Sequence, residues 1–258
     1  NVVVLQDIAC TRLVLVDHHH GVAGVHGDRS QVPADPPKAD DDGVHSIWVR
    51  PLPLKYLANK PEYVICGVDE AGKGSVIGPM VVAAVGCRAV EDLAALPIRD
   101  SKALRPRQRE ALYDLLTRKF SIAIASIDAP GIDEARSRMS MNTCVAELHA
   151  DVIRRLRPDC AYVDACDVNA DRYGRTVAAL LDFPCDVVAE HRADARCIIV
   201  GAASIVAKVT RDRAIEEIEE RYGKIGSGYP SDPATVEFLR GYIRDHGSPP
   251  PCARRTWK

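Results

Sequence analysis

Cys66-Gly67-Val68-Asp69-Glu70-Ala71-Gly72-Lys73-Gly74 sets two adjacent carboxylates at the end of an apolar, β-like run that opens onto a glycine-lysine-glycine turn. Tyr63, Ile65 and Val68 with their neighbours predict a buried strand, so Asp69 and Glu70 fall where a rigid sheet gives way to loop. Adjacent like charges repel; in a poorly solvated position a cation offsets the repulsion, and hard carboxylate oxygens suit magnesium or manganese rather than zinc. Gly67 to Lys73 also fits the G-x-x-x-x-G-K of a phosphate-binding loop. Gly74 stands where that motif needs a Ser or Thr hydroxyl, however, and two acids inside the cradle would repel phosphate. A dinucleotide fingerprint fails as well, because Ile77 occupies the place of its third glycine. For an isolated D-E-x-G, a turn with solvated acids and no chemistry is the plain alternative.

Working outward, the pattern is regular from Tyr63 onward. The strand ending at Asp69 is followed by apolar runs at Met80 to Val85 and Ile122 to Ile127, with a helix from Leu104 to Lys119 between them, which suits an antiparallel meander. A helix near Asn142 to Leu156 then leads to a strand at Cys160 to Asp164. A helix after Asp171 leads to a strand at Asp186 to Val188, and a long helix runs from about Ile198 to Tyr222. Alternating strands and helices imply parallel crossovers. Asp232 to His246 reads as a further helix. The expected domains are a poorly structured extension at 1–61, lying outside the functional protein, a main α/β domain at 62–224 and a small helical part at 225–258. His18-His19-His20 in the extension lacks the further ligands a metal site needs.

At 258 residues with 47% hydrophobic content the chain can bury a real core. The net charge of −2 excludes a uniformly basic surface, leaving local clusters for any nucleic-acid contact. Arg105 to Arg109 and Arg154 to Arg157 read as solvated helix faces. Arg254, Arg255 and Lys258 sit in a proline-rich tail without helical period and are expected to reach a phosphate backbone. Nine cysteines without a C-x-x-C pair argue against a disulfide framework or a structural zinc site, and predict a reduced, cytoplasmic protein. Cys66, Cys144, Cys160 and Cys185 stand in apolar runs as core residues. No run approaches a membrane span.

The chain resembles the ribonuclease HII family in its archaeal form. The resemblance is carried by Gly67 to Gly74 with Ile77-Gly78-Pro79, Asp100-Ser101-Lys102, Tyr162-Val163-Asp164-Ala165-Cys166-Asp167-Val168-Asn169, Glu190-His191-Arg192-Ala193-Asp194, Ala202 to Arg213, and Gly226-Ser227-Gly228-Tyr229-Pro230-Ser231-Asp232-Pro233. These pieces follow the family's order over roughly three quarters of the chain, and the ordered set is far more specific than any one of them. The fold so implied is α/β, a ribonuclease H-like mixed five-stranded sheet flanked by helices. The resemblance also implies that Asp69, Glu70, Asp164 and Asp194 are catalytic and hold two divalent ions, Mn2+ or Mg2+, with Asp69 shared between them. The residues alone do not choose Asp164 over Asp167. Asp167, Asn169 and Asp171 have the alternation of a calcium loop, but Arg172 and Ala178 replace its glycine and glutamate.

Two ions suit phosphodiester hydrolysis, one activating water and the other stabilising the leaving 3′ oxygen. His191 beside the acids either orients Asp194 or fills space. By the same resemblance Gly72, Lys73 and Gly74 contact the ribonucleotide at an RNA-DNA junction, where absent side chains let backbone approach the 2′-hydroxyl. Tyr229 packs on the next deoxyribose. Lys208 and Arg211, one helical step apart, are expected to face phosphate, or else pair with Asp212 and Glu216. The implied activity is that of a monomeric endonuclease that hydrolyses the RNA strand of RNA/DNA hybrids and nicks 5′ to ribonucleotides in duplex DNA, in primer and misincorporated ribonucleotide removal. The alternatives are another ribonuclease H-like nuclease, or a binding module of that fold that has lost an acid. A chain stopping at Trp257-Lys258, where relatives often continue, is expected to weaken affinity more than chemistry.

Overall fold

A computed structural model of the protein describes residues 14–16, 63–98 and 104–257. The expected extension at 1–61 lies outside the described residues except for a short strand, β1 (Val14–Val16), and so does Asp100-Ser101-Lys102. The other strands are β2 (Ile65–Ala71), β3 (Met80–Cys87), β4 (Ser121–Ile127), β5 (Cys160–Asp164) and β6 (Asp186–Glu190). The helices are α1 (Glu91–Ala94), α2 (Pro106–Lys119), α3 (Ala129–Arg138), α4 (Met141–Leu156), α5 (Ala170–Ala179), α6 (Ala193–Arg196), α7 (Ile198–Tyr222) and α8 (Pro233–His246).

The sheet order is β1-β4-β3-β2-β5-β6. β2, β3 and β4 form the antiparallel meander, and β5 and β6 add in parallel beyond β2. The five expected strands are therefore present, and β1 adds a three-residue antiparallel edge against β4. β2 does not stop at Asp69. Its ladder with β3 continues through Glu70 and Val82 to Ala71 and Val81, so the acids are held inside a strand and share its rigidity. Helix α3 was hidden in the sequence by Pro130 and Gly131. In the fold, proline sits in the first turn, where its missing N–H costs nothing, and the Asp128 side chain accepts from Gly131 N at 2.8 Å.

Helices cover both faces of the central strands, which is why β3 is an unbroken buried apolar run. On one face Ile199 and Val206 of α7 and Leu116 of α2 pack with Ile65, Val85 and Ile122. On the other, Ala146, Ala150 and Ile153 of α4 and Val177 of α5 pack with Cys66, Val68, Ala84 and Val163. A smaller cluster joins the loop after β2 to the C-terminal part through Val76, Ile77, Ile215 and Ile225, with Phe238 and Leu239 of α8 against it. The eight cysteines among the described residues are free. No helix among those residues is long and apolar enough to cross a membrane.

The start of α7 lies directly on β2. A Cβ at Gly67 would stand 2.3 Å from the backbone carbonyl of Ile199 and 2.5 Å from Val200 N. Backbone, unlike a side-chain tip, cannot swing aside, so only glycine permits this packing. Gly67→Ala should cost about 3 kcal/mol or more in urea unfolding through overpacking; a change below about 1 kcal/mol would mean that α7 shifts freely on the sheet.

Candidate active site

Strand alternation sends Asp69 to the α7 side of β2 and Glu70 to the α4 side. Asp69 is 6% exposed. Its Oδ1 accepts from Glu70 N at 2.7 Å, and Ser204 of α7 hydrogen-bonds to the same carboxylate. Burial, followed by the charges of Glu70 and Asp164, pushes its carboxyl well above the usual range despite those bonds. The parallel register aligns Val68 with Val163, so Asp164 stands one residue on at the adjacent strand end. Asp164 Oδ1 accepts from Ala193 N at 2.7 Å. Burial, with Glu70 and Asp194 adding to it, raises Asp164 to about 6. Asp194 lies on α6, whose first residue holds Asp164, and it is close enough to Asp164 to act on its titration. The four expected acids thus gather at one end of the sheet.

Two residues behind Glu70 went unnoticed in the sequence. His149 of α4 is fully buried, and its Nε2 stands 3.3 Å from Glu70 Oε2. The pair is near but not aligned for a hydrogen bond, so Glu70 Oε2 is a buried carboxylate oxygen without a donor. The other face of His149 meets Tyr173, whose hydroxyl is 3.2 Å from Nδ1. A histidine within the apolar stripe of Val145, Ala146, Ala150 and Val152 was the available signal. His191, in contrast, is exposed and fills no core.

These observations test the site for divalent cations. Among the described residues no three His, Cys, Asp or Glu side chains stand close enough to enclose an ion as placed. The donor set nevertheless fits. One carboxylate oxygen is buried and orphaned, and two neighbouring carboxyls are driven toward protonation by burial and by the acids around them. A hard cation would satisfy all three groups.

Beyond the acids, the chain turns through Gly72 at φ +84, where a Cβ would meet Arg211 Nε at 2.5 Å and Pro79 O at 2.6 Å. Glycine is obligatory there. Gly74 differs: its Cβ would find nothing nearer than 3.9 Å, from Trp257 Cη2 and Tyr229 Cε1, so the protein's own packing does not require a glycine. Lys73 Nζ donates to Cys166 O at 3.1 Å, tying the turn to the loop after β5. The Gly228-Tyr229-Pro230 turn is stitched to the same region, with Gly228 O accepting from Val76 N at 2.8 Å and Ile77 N at 3.1 Å. The structure therefore brings Gly72, Lys73, Gly74 and Tyr229 together.

Arginines expected at phosphate are placed otherwise. Arg211 is 1% exposed and leaves no surface for a phosphate; it donates to Ser227 O at 3.0 Å and lies 4.7 Å beneath the Tyr229 ring. Burial lowers its pKa. Lys208 pairs with Asp212 at 2.6 Å, the other expected arrangement. Arg254 is not in a free basic tail. Ile77 and Ala253 form a bridge, and Arg254 N donates to Val76 O at 2.9 Å, so the tail adds to the loop after β2 as a strand would. The guanidinium then donates to Gly72 O at 2.6 Å, Lys73 O at 3.0 Å and Gly78 O at 3.0 Å. Burial, and secondarily Arg211, pushes Arg254 down to about 10. Two guanidiniums thus lie under the glycine-lysine-glycine turn and give it a positive floor.

Acids near the end of a central strand and at the end of its parallel neighbour, in a sheet that joins an antiparallel meander to two parallel strands between helices, define a ribonuclease H-like enzyme. The family model for ribonuclease HII matches residues 66–258. Ribonuclease HII of Methanoregula boonei is 55% identical over 195 residues, covering 76% of this chain and 92% of its own length. Two solved structures share the fold. Ribonuclease H2 of Pyrococcus horikoshii OT3 has a TM-score of 0.72 and 42% identity, covering 76% of this chain and 94% of that one. Ribonuclease HII of Archaeoglobus fulgidus, in complex with PCNA, has a TM-score of 0.72 and 41% identity, with 76% and 95% covered. The chain belongs to the ribonuclease HII family, endonucleases that cleave the RNA of RNA/DNA hybrids.

A carboxyl raised in the folded state holds a proton that the unfolded chain has released, so for Asp164 stability falls as pH rises from about 4 to about 6. Metal-free protein should lose Tm over this window relative to Asp164→Asn, and Mn2+ or Mg2+ should raise Tm more at about pH 8 than at about pH 5. Equal metal-induced shifts at both pH values would show that Asp164 does not bind the cation. Gly72→Ala should lower Tm by several degrees, about 1–3 kcal/mol of strain and overlap. Gly74→Ala should leave Tm unchanged and lower cleavage, and a thermal penalty there equal to that of Gly72→Ala would refute the distinction.

Proposed function

We propose that Asp69, Glu70, Asp164 and Asp194 hold two divalent cations, Mg2+ or Mn2+, with Asp69 shared. We further propose that the chain nicks duplex DNA on the 5′ side of an embedded ribonucleotide as well as cutting hybrids, leaving 5′-phosphate and 3′-hydroxyl ends. The observation that carries the cation reading is the raised Asp69 and Asp164 beside the unpaired buried oxygen of Glu70. When bound, such a pair of ions activates a water and neutralises charge on the leaving 3′ oxygen. The chain's own residues do the rest. β2 and β5 fix Asp69 and Asp164 against movement, and Ala193 N orients Asp164. Burial excludes the bulk water that would otherwise screen the acids.

Selection of ribose rests on the turn at Gly72-Lys73-Gly74, whose bare Gly74 face is open beside Tyr229. There a backbone group can approach a 2′-hydroxyl, which both donates and accepts. Arg211, stacked beneath Tyr229, holds that ring for the neighbouring deoxyribose. In this reading residues 62–224 form the catalytic domain of a cytoplasmic monomer, residues 225–258 add substrate contacts, and the products feed primer and misincorporated ribonucleotide removal.

Asp69→Asn should lower cleavage of a duplex carrying one ribonucleotide by at least about a thousandfold, while circular dichroism and affinity for hybrid in the presence of calcium stay as in the parent protein. Substantial residual nicking by a folded variant would remove Asp69 from the centre. Cleavage of long hybrid by the parent protein without any nick at a single ribonucleotide would refute the junction reading alone.

A further inference from the structure

Next to the glycine-lysine-glycine turn lies an open cavity of about 360 Å³, lined by Lys73, Gly74, Ile132, Arg136, Met141 and Trp257. We infer that this cavity is a second sugar-phosphate subsite, in which Trp257 packs on the deoxyribose one step beyond the one over Tyr229, and Arg136 meets its phosphate. The assignment rests on the junction reading above and extends it along the cut strand, away from the acids and 3′ to the ribonucleotide.

Three observations carry it. The Trp257 and Tyr229 rings both border Gly74, each with one atom 3.9 Å from where a Cβ would stand. A strand laid over the bare face of Gly74 is therefore within reach of both aromatics. Trp257 is 40% exposed although it sits beside buried Ile132; a tryptophan serving only to fill that cavity would be covered. The backbone leading to it is nonetheless anchored, because Arg255 N and Thr256 N donate to the carboxylate of Asp133 at 2.8 and 2.9 Å, and Thr256 Oγ1 donates to it at 2.7 Å. Those bonds hold Asp133 below its usual range against the opposing effect of burial. The anchored backbone lowers the ordering cost of presenting the ring, as suits a stacking platform.

Arg136 supplies the charge. It lies half-buried on α3, whereas its neighbour Arg138 is taken up by Glu134, and Arg136 pairs with no acid among the described residues. A cation without a partner, beside an exposed indole and a backbone turn with a positive floor, matches a sugar-phosphate chain better than an apolar peptide.

The test uses two duplexes with one ribonucleotide each, one ending a single nucleotide 3′ of it and the other extending about six nucleotides further. The parent protein should have a lower KM for the longer duplex. Trp257→Ala should raise KM for the longer duplex about five- to tenfold, leave kcat and KM for the shorter one unchanged, and so erase the length preference, while Trp257→Phe restores it. Arg136→Gln should reduce the salt slope of binding to the longer duplex by about one. In a Trp48→Phe background, where Trp257 is the sole tryptophan, its fluorescence should change on adding the longer duplex with calcium and not the shorter. Unchanged length preference in a folded Trp257→Ala protein, or equal fluorescence response to both duplexes, would overturn the subsite. Failure of the parent protein to nick either duplex would overturn the junction reading instead, and the fluorescence comparison would still decide the subsite.

Discussion

β2 has to be two things at once: a central strand with both faces covered, and the bearer of two charges. A strand so enclosed cannot solvate a carboxylate, and alternation forbids Asp69 and Glu70 from sharing a face. The charges therefore emerge on opposite sides, Asp69 against Ser204 of α7 and Glu70 against His149 of α4. Ser204 brings Asp69 no charge, and His149 stands beside Glu70 without being aligned to donate to it. In the two-cation reading proposed above, the unfavourable burial favours a dense positive charge, since a weakly held monovalent ion would not offset it. The bare Gly67 and the close approach of α7 follow from the same requirement, because they bring Ser204 onto the α7-facing edge of β2.

Much of this was legible in the sequence, and for physical reasons. The apolar runs at Met80 to Val85 and Ile122 to Ile127 are too regular to be anything but covered strands, and the long helix from Ile198 to Tyr222 was read with its observed ends. The four acids came from motif order and not from pattern, since spacing alone could not separate Asp164 from Asp167. In the fold Asp167 is exposed to Arg172 and paired with it, whereas Asp164 is the last residue of a buried strand. The distinction lies in which residue the ladder with β6 reaches, and local sequence does not encode it.

The misreadings share a cause. Arg211 was expected at phosphate from its place one helical step beyond Lys208, and Arg254 from its place in a proline-rich tail, yet both are buried beneath the turn. Burying two guanidiniums is costly unless their donors are met; here main-chain carbonyls of irregular loops accept from both, although Arg211 Nε is left without a partner. Such acceptors come from residues far away in sequence, so no local signal announces them. His149 was overlooked for the opposite reason, as a polar residue in an otherwise apolar stripe.

Arg254 is separated from Gly72 by 182 positions, yet closes the turn that follows β2. During synthesis that turn leaves the ribosome 182 residues ahead of the guanidinium that fixes its carbonyls. At chain growth of about 5–20 residues per second the interval is on the order of ten seconds or more. Through that interval the carbonyls of Gly72, Lys73 and Gly78 are without the guanidinium that holds them in the finished fold. The glycine-lysine-glycine turn thus takes its final shape only after the segment around Arg254 has been made, and not as β2 emerges.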